Sequence, residues 1–220
     1  MVVSRAKTMK IASTLGWIAI VLAVLLMLFS GANRLGSLTQ DAATADALGV
    51  RYIEHPWVSL FHIVPGVLFL TFAPLQFVAR IRRRRISIHR GSGRVLATLA
   101  AISALLALVV NFLFPAFGGI STQSAVIFVS VLLLFSLSMA IRHIIRKEVR
   151  QHREWMIRTF AAAMSVATQR VFLILLTSLT GLSLEEVFGA AFWLGIGVNL
   201  VVAEVWINHT RASSRSAERA

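Results

Sequence analysis

The sequence predicts an all-α bundle of six membrane-spanning helices with both chain ends on the cytoplasmic side. Three observations lead there. Of the 220 residues, 57% are hydrophobic and only 14% are charged, whereas a soluble domain carries about 25% charge. The apolar residues fall in long blocks, several of them near the roughly 20 residues that a helix needs to cross a bilayer core of about 30 Å. Lysine and arginine crowd every second connection and almost vanish from the others, the asymmetry that sets membrane topology.

The spans are expected at 11–30, 57–79, 95–114, 123–141, 159–180 and 188–207. The first follows Arg5, Lys7 and Lys10. Ser30-Gly31-Ala32 at its end would suit a signal peptidase, but its apolar core exceeds the roughly 7–15 residues of a signal peptide, so it reads as a retained span. Residues 31–56 form the longest outer loop, polar and alanine-rich, with room for a short helix. Spans two and three are joined by "RIRRRRISIHRGSGR", spans four and five by "RHIIRKEVRQHREWMIR". The ending "RASSRSAERA" has no apolar periodicity and is expected to be disordered. The organisation is therefore an N-terminal span and outer loop (1–56), a four-helix core of spans two to five (57–180), a sixth span (181–207) and a cytoplasmic tail (208–220), with spans one and six flanking the core.

Of the 22 lysines and arginines, 19 lie on one side: seven arginines from Arg80 to Arg94, six basic residues from Arg142 to Arg158, and three at each end of the chain. A net charge of +13 would point to nucleic acid in a soluble protein. Here it sets topology, and the expected partner is a lipid bilayer with anionic lipid at its cytoplasmic face, in a bacterial inner membrane. The chain has no cysteine, which excludes disulfides and thiolate chemistry. No phosphate loop, Ser–His–Asp order or HExxH motif supports a hydrolase.

The two basic connections form a weak repeat. Each ends in His-Arg with a further arginine four or five residues on: His89-Arg90 with Arg94, and His152-Arg153 with Arg158. Both histidines open a span at the cytoplasmic face, where helix N-termini attract anions. Gly91 and Gly93 would let a ligand approach the backbone. The plain alternative is that these arginines only snorkel to lipid. A sharper reading makes His89 and His152 axial ligands of a b-type haem, with Arg90, Arg94 and Arg158 near its propionates. Against it, both histidines lie at the membrane edge.

Deeper in the membrane, His62 shares a helical stripe with Gly66, Phe69, Ala73 and Gln76, which should face the bundle interior. Pro65 and Pro74 interrupt the same span. Arg170 is the most unusual residue, about 18 Å into span five by helical rise. It needs a partner, for which Glu185, Glu186, Gln76 or an acidic substrate qualify. Eighteen residues, or five turns, separate it from His152, so the two share a face, with Ala163 and Ala167 between them. Glu204 is expected to pair with a basic residue, and Asn111 and Asn199 to link helices.

"HIVPGVLFLTFAPLQF", "HRGSGR" and "HREWMIRTFAAAMSVATQR" together resemble the bacterial membrane family catalogued as domain of unknown function 2306. The family's pattern falls on His62, Pro74, Gln76 and Phe77; on His89, Arg90, Gly93 and Arg94; and on His152, Trp155, Met156, Arg158 and Arg170. The likeness covers roughly residues 57–178 and implies no activity, since the family has none established. A more distant similarity is to six-helix b-type transmembrane cytochromes. There a second haem would need a histidine near the outer end of span four, and "STQSAVIF" offers none. Three readings follow: a haem- or quinone-linked redox component; a lipid- or anion-binding module or transporter with His62, Gln76 and Arg170 along a polar path; and a structural subunit bound to another membrane protein.

Overall fold

The computed structural model describes residues 2–38, 49–114 and 116–217, and the side chains of 11–38, 50, 53–114 and 116–212. All regular structure among them is helical: α1 (Val2–Ser37), α2 (Gly49–Glu54), α3 (Pro56–Gln76), α4 (Ala79–Arg84), α5 (Ile86–Leu113), α6 (Gly119–Ile145), α7 (Val149–Thr180) and α8 (Leu184–Ala217). Six of these, α1 from Ile11 onward together with α3, α5, α6, α7 and α8, are long and apolar enough to cross a membrane. They are the six expected spans, most of them longer than the apolar blocks alone. A helix satisfies its own backbone polar groups, so nothing stops it where the apolar residues stop.

α2 is the short helix foreseen in loop 31–56, of which residues 39–48 lie outside the described residues. The tail departs from expectation. α8 continues through 208 to Ala217 instead of ending at the span boundary. "RASSRSA" contains neither proline nor glycine, so nothing in it interrupts a helix already under way. Residues 218–220 lie outside the described residues.

The connections are tight. At the α5–α6 turn Gly118 has φ +79, and a Cβ there would lie 2.7 Å from Thr122 Oγ1 and 2.9 Å from Phe188 Cβ, so only glycine fits. Glu148, at the α6–α7 turn, contacts His143 Nδ1.

α7 is the centre of the bundle. Its face from Thr159 to Ala167 is almost wholly buried, and it packs against α6, α8, α1 and α3. Small residues make this possible: a Cβ on Gly195 of α8 would sit 2.8 Å from the Ser165 carbonyl and 2.9 Å from the Gln169 amide, so the two backbones nearly touch. α3 packs on α5, and the rings of Phe69 and Phe77 meet Phe160 of α7. α8 flanks this group yet belongs to the core, with Ala191, Ile196 and Ile207 buried. α1 is the peripheral span. Among the described residues it rests on α2, α3 and α7, and most of its described apolar side chains face outward.

Candidate functional site

Helix packing leaves a cavity of about 280 Å³ in the half of the bundle away from the arginine-rich connections. Walls come from α1, α3, α5, α6, α7 and α8. Much of the lining is apolar, including Phe69, Val126, Val129 and Phe192, but His62, Arg170, Arg34, Asn111, Thr122 and Gln169 also reach it. Among the described residues no carboxylate lines it.

His62 is fixed by a reciprocal exchange between α3 and α5. Its Nδ1 donates to the Ser103 carbonyl at 2.8 Å, and the Ser103 hydroxyl donates to the His62 carbonyl at 3.0 Å. Gly66, one turn on, permits this crossing, since a Cβ there would lie 2.7 Å from Ser103 Oγ. With Nδ1 holding the proton, the neutral ring has Nε2 as a lone-pair acceptor.

Arg170 lies within electrostatic reach of His62. Its Nε donates to Ser30 Oγ of α1 at 3.0 Å and its Nη1 to the Val166 carbonyl at 2.5 Å. These partners differ from the candidates read in the sequence. Glu186 instead accepts from the Ser183 amide and hydroxyl, and Gln76 donates to Ser92 Oγ at 2.8 Å. Thr122 is 6% exposed, and its hydroxyl has no partner among the described residues although it belongs to the cavity wall. Among the described residues Asn111 and Gln169 make only long bonds, to the Gln123 carbonyl at 3.4 Å and the Phe188 carbonyl at 3.5 Å. Such groups are suited to a ligand or to water.

The stripe His62, Gly66, Phe69, Ala73, Gln76 faces inward as expected, with Phe69 and Ala73 in the core. Its far end separates from the cavity, which Gln76 does not reach. Gln76 belongs to the basic end of the bundle, where its Oε1 and the Nδ1 of His89 are buried without partners among the described residues. His89 is within electrostatic reach of Arg82 and His152, while the described residues of α5 and α7 make no close backbone approach to each other. His152 Nδ1 donates to the Ala140 carbonyl of α6 at 2.9 Å. Arg90 and Arg94 are exposed.

Arg158 is engaged elsewhere. Its guanidinium forks onto Glu204 of α8, at 2.6 Å from Nε and 2.9 Å from Nη2, and lies over the Trp155 ring. The pairing expected for Glu204 is thus made with Arg158, which takes that arginine away from a propionate role. Two further contacts close the same seam: Arg153 donates to Thr210, and Arg211 forks onto the buried Glu154. Asn199 joins α8 to α7 through Thr168 at 2.7 Å. Ser103, Thr122 and Glu154 escaped the reading of the sequence. Only Ser103 had a local signal, a stripe of small residues at Ala100, Ala104 and Ala107.

Residues 59–207 match the family described as predicted membrane protein (DUF2306). No curated protein and no solved structure matches the chain. The match begins close to the first of the three motifs but does not stop with them at 178; it extends to residue 207 within α8, in keeping with the place of α8 in the core. Well over half of the chain is covered, and the chain accordingly belongs to this family of predicted multi-pass membrane proteins.

Proposed function

We propose that this protein is an intramembrane binding module whose cavity holds the acidic head group of a small amphiphile. The observation that carries this reading is the meeting of Arg170 and His62, from α7 and α3, on one largely apolar cavity. Charge at membrane depth is costly and marks function by default. The apolar part of the wall suits an alkyl chain, and the thinly held α1 offers a way in from the lipid. Native mass spectrometry of the protein released from mild detergent tests this. Wild type should carry a bound amphiphile that Arg170→Leu lacks. Equal occupancy in the two proteins would refute it.

A second reading is supported by the placement of His89 and His152 within electrostatic reach of each other at the basic end. The bond from His152 Nδ1 to a carbonyl leaves Nε2 for a metal, the usual arrangement of a ligating histidine. Haem b held there would supply one-electron chemistry, with Arg90 or Arg94 rather than Arg158 beside its propionates. An absorption spectrum of protein made with haem precursor decides it: a Soret band lost in His89→Ala and His152→Ala supports haem, and a colourless folded protein removes it.

A further inference from the structure

We infer that the amphiphile held in the cavity carries, besides its acidic group, an uncharged hydrogen-bond donor that His62 Nε2 reads: a chain hydroxyl or an amide N–H. This rests on the binding role proposed above and adds a second polar group to its ligand. The wall presents more polar side chains than one acidic head group engages. Asn111 of α5, Thr122 of α6 and Gln169 of α7 all line it. Among the described residues the Thr122 hydroxyl has no partner, and the two carboxamides make only bonds of 3.4 and 3.5 Å. Each of the three can donate or accept, so together they admit a second polar group without choosing its kind. His62 makes the choice. A carbonyl only accepts, so the bond to Ser103 commits Nδ1–H, and Nε2 of the neutral ring can only accept. Arg170, within electrostatic reach of His62, keeps an alkyl carboxylate ionised, so the acidic group itself has no proton to give Nε2. The same cation repels an ammonium donor, which leaves an uncharged O–H or N–H. A ligand that displaces water from Nε2 without returning a donor leaves the nitrogen unpaired, and that loss sets the selectivity.

The full chain in phosphatidylcholine nanodiscs, loaded with the fluorescent fatty acid cis-parinaric acid, provides the test. Two matched pairs of acids compete for the probe: 3-hydroxymyristic against 3-methoxymyristic acid, and N-lauroylglycine against N-lauroylsarcosine. Within each pair a methyl group replaces the uncharged donor. In wild type the donor-bearing acid of at least one pair should displace the probe on the order of tenfold better, the effect of one hydrogen bond. The pair that shows it tells hydroxyl from amide. In His62→Phe that preference should vanish. The wild-type pairs decide alone if His62→Phe does not fold. Equal displacement within both pairs, or a preference that survives in His62→Phe, overturns the inference while leaving the acidic-amphiphile site in place. Failure of all four acids, and of myristic acid, to displace the probe overturns both.

Discussion

Replacing Arg170 by leucine separates a binding arginine from a structural one. Two described bonds leave with the side chain, to Ser30 Oγ and to the Val166 carbonyl. Hydrogen bonds from a charged group contribute about 1.5–3 kcal/mol each, so about 3–6 kcal/mol is lost. The substitution also relieves the cost of inserting a cation at depth, about 2.5–3.5 kcal/mol. The two effects nearly oppose, leaving a net loss of about 0–3 kcal/mol. At about 2–4 °C per kcal/mol for a chain of this size, the Tm should fall by no more than about 12 °C. Amphiphile binding has no such compensation and should fall by at least tenfold, since the charged donor to the head group is gone. Thermal unfolding in mild detergent, with displacement of a fluorescent fatty acid on the same preparation, reads both. Collapse of the fold with a Tm loss well beyond about 12 °C would make Arg170 a structural residue, and unchanged binding would remove it from the site.

Further outcomes follow from particular contacts. Thr122→Val removes a buried hydroxyl without a described partner, so it should raise the stability of ligand-free protein by about 1 kcal/mol and weaken amphiphile binding; a lower Tm without ligand would show that the hydroxyl is satisfied. Gly195→Val drives a side chain into the α7 backbone and should cost about 3 kcal/mol or more, seen as loss of monodisperse protein, because backbone cannot yield as a side chain does. Glu154→Gln should cost more than Glu204→Gln. The side chain of Glu154 is 5% exposed and that of Glu204 47%, although their partners Arg211 and Arg158 are 41% and 19% exposed; the difference therefore lies in the carboxylates, and a buried polar group depends more on its partner than one open to water does. Equal Tm changes would contradict that order.

The fold was largely legible because each span carries its own signal in apolar length. The asymmetry of arginine added the order of the connections. What was not legible is how the spans sit together. The stripe from His62 to Gln76 was read as one polar path, and periodicity rightly placed it inward. Which neighbour each residue meets depends on partners far along the chain. His62 meets Ser103 on α5, Gln76 meets Ser92 near the opposite end of the bundle, and the cavity belongs to the first alone. Arg170 stood out because a charge at depth is rare, but its described partners are a serine of α1 and a carbonyl of its own helix, neither of which a charge pattern can reveal. Arg158 shows the reverse. Its place in the doorway motif pointed to a cofactor, and a glutamate 46 residues away takes it up instead. Thr122 had no signal, since a lone threonine in an apolar helix is commonplace until its surroundings are known.

The most direct test of the central claim places a photo-crosslinker inside the cavity. Val126 of α6 lines it and can be replaced by p-benzoylphenylalanine in the full chain. After irradiation in native membranes, mass spectrometry of the protein should find an adduct with the mass of an alkyl acid, and Arg170→Leu in the same background should abolish it. No adduct, or the same adduct with and without Arg170, would contradict the claim that this cavity is an amphiphile site governed by Arg170.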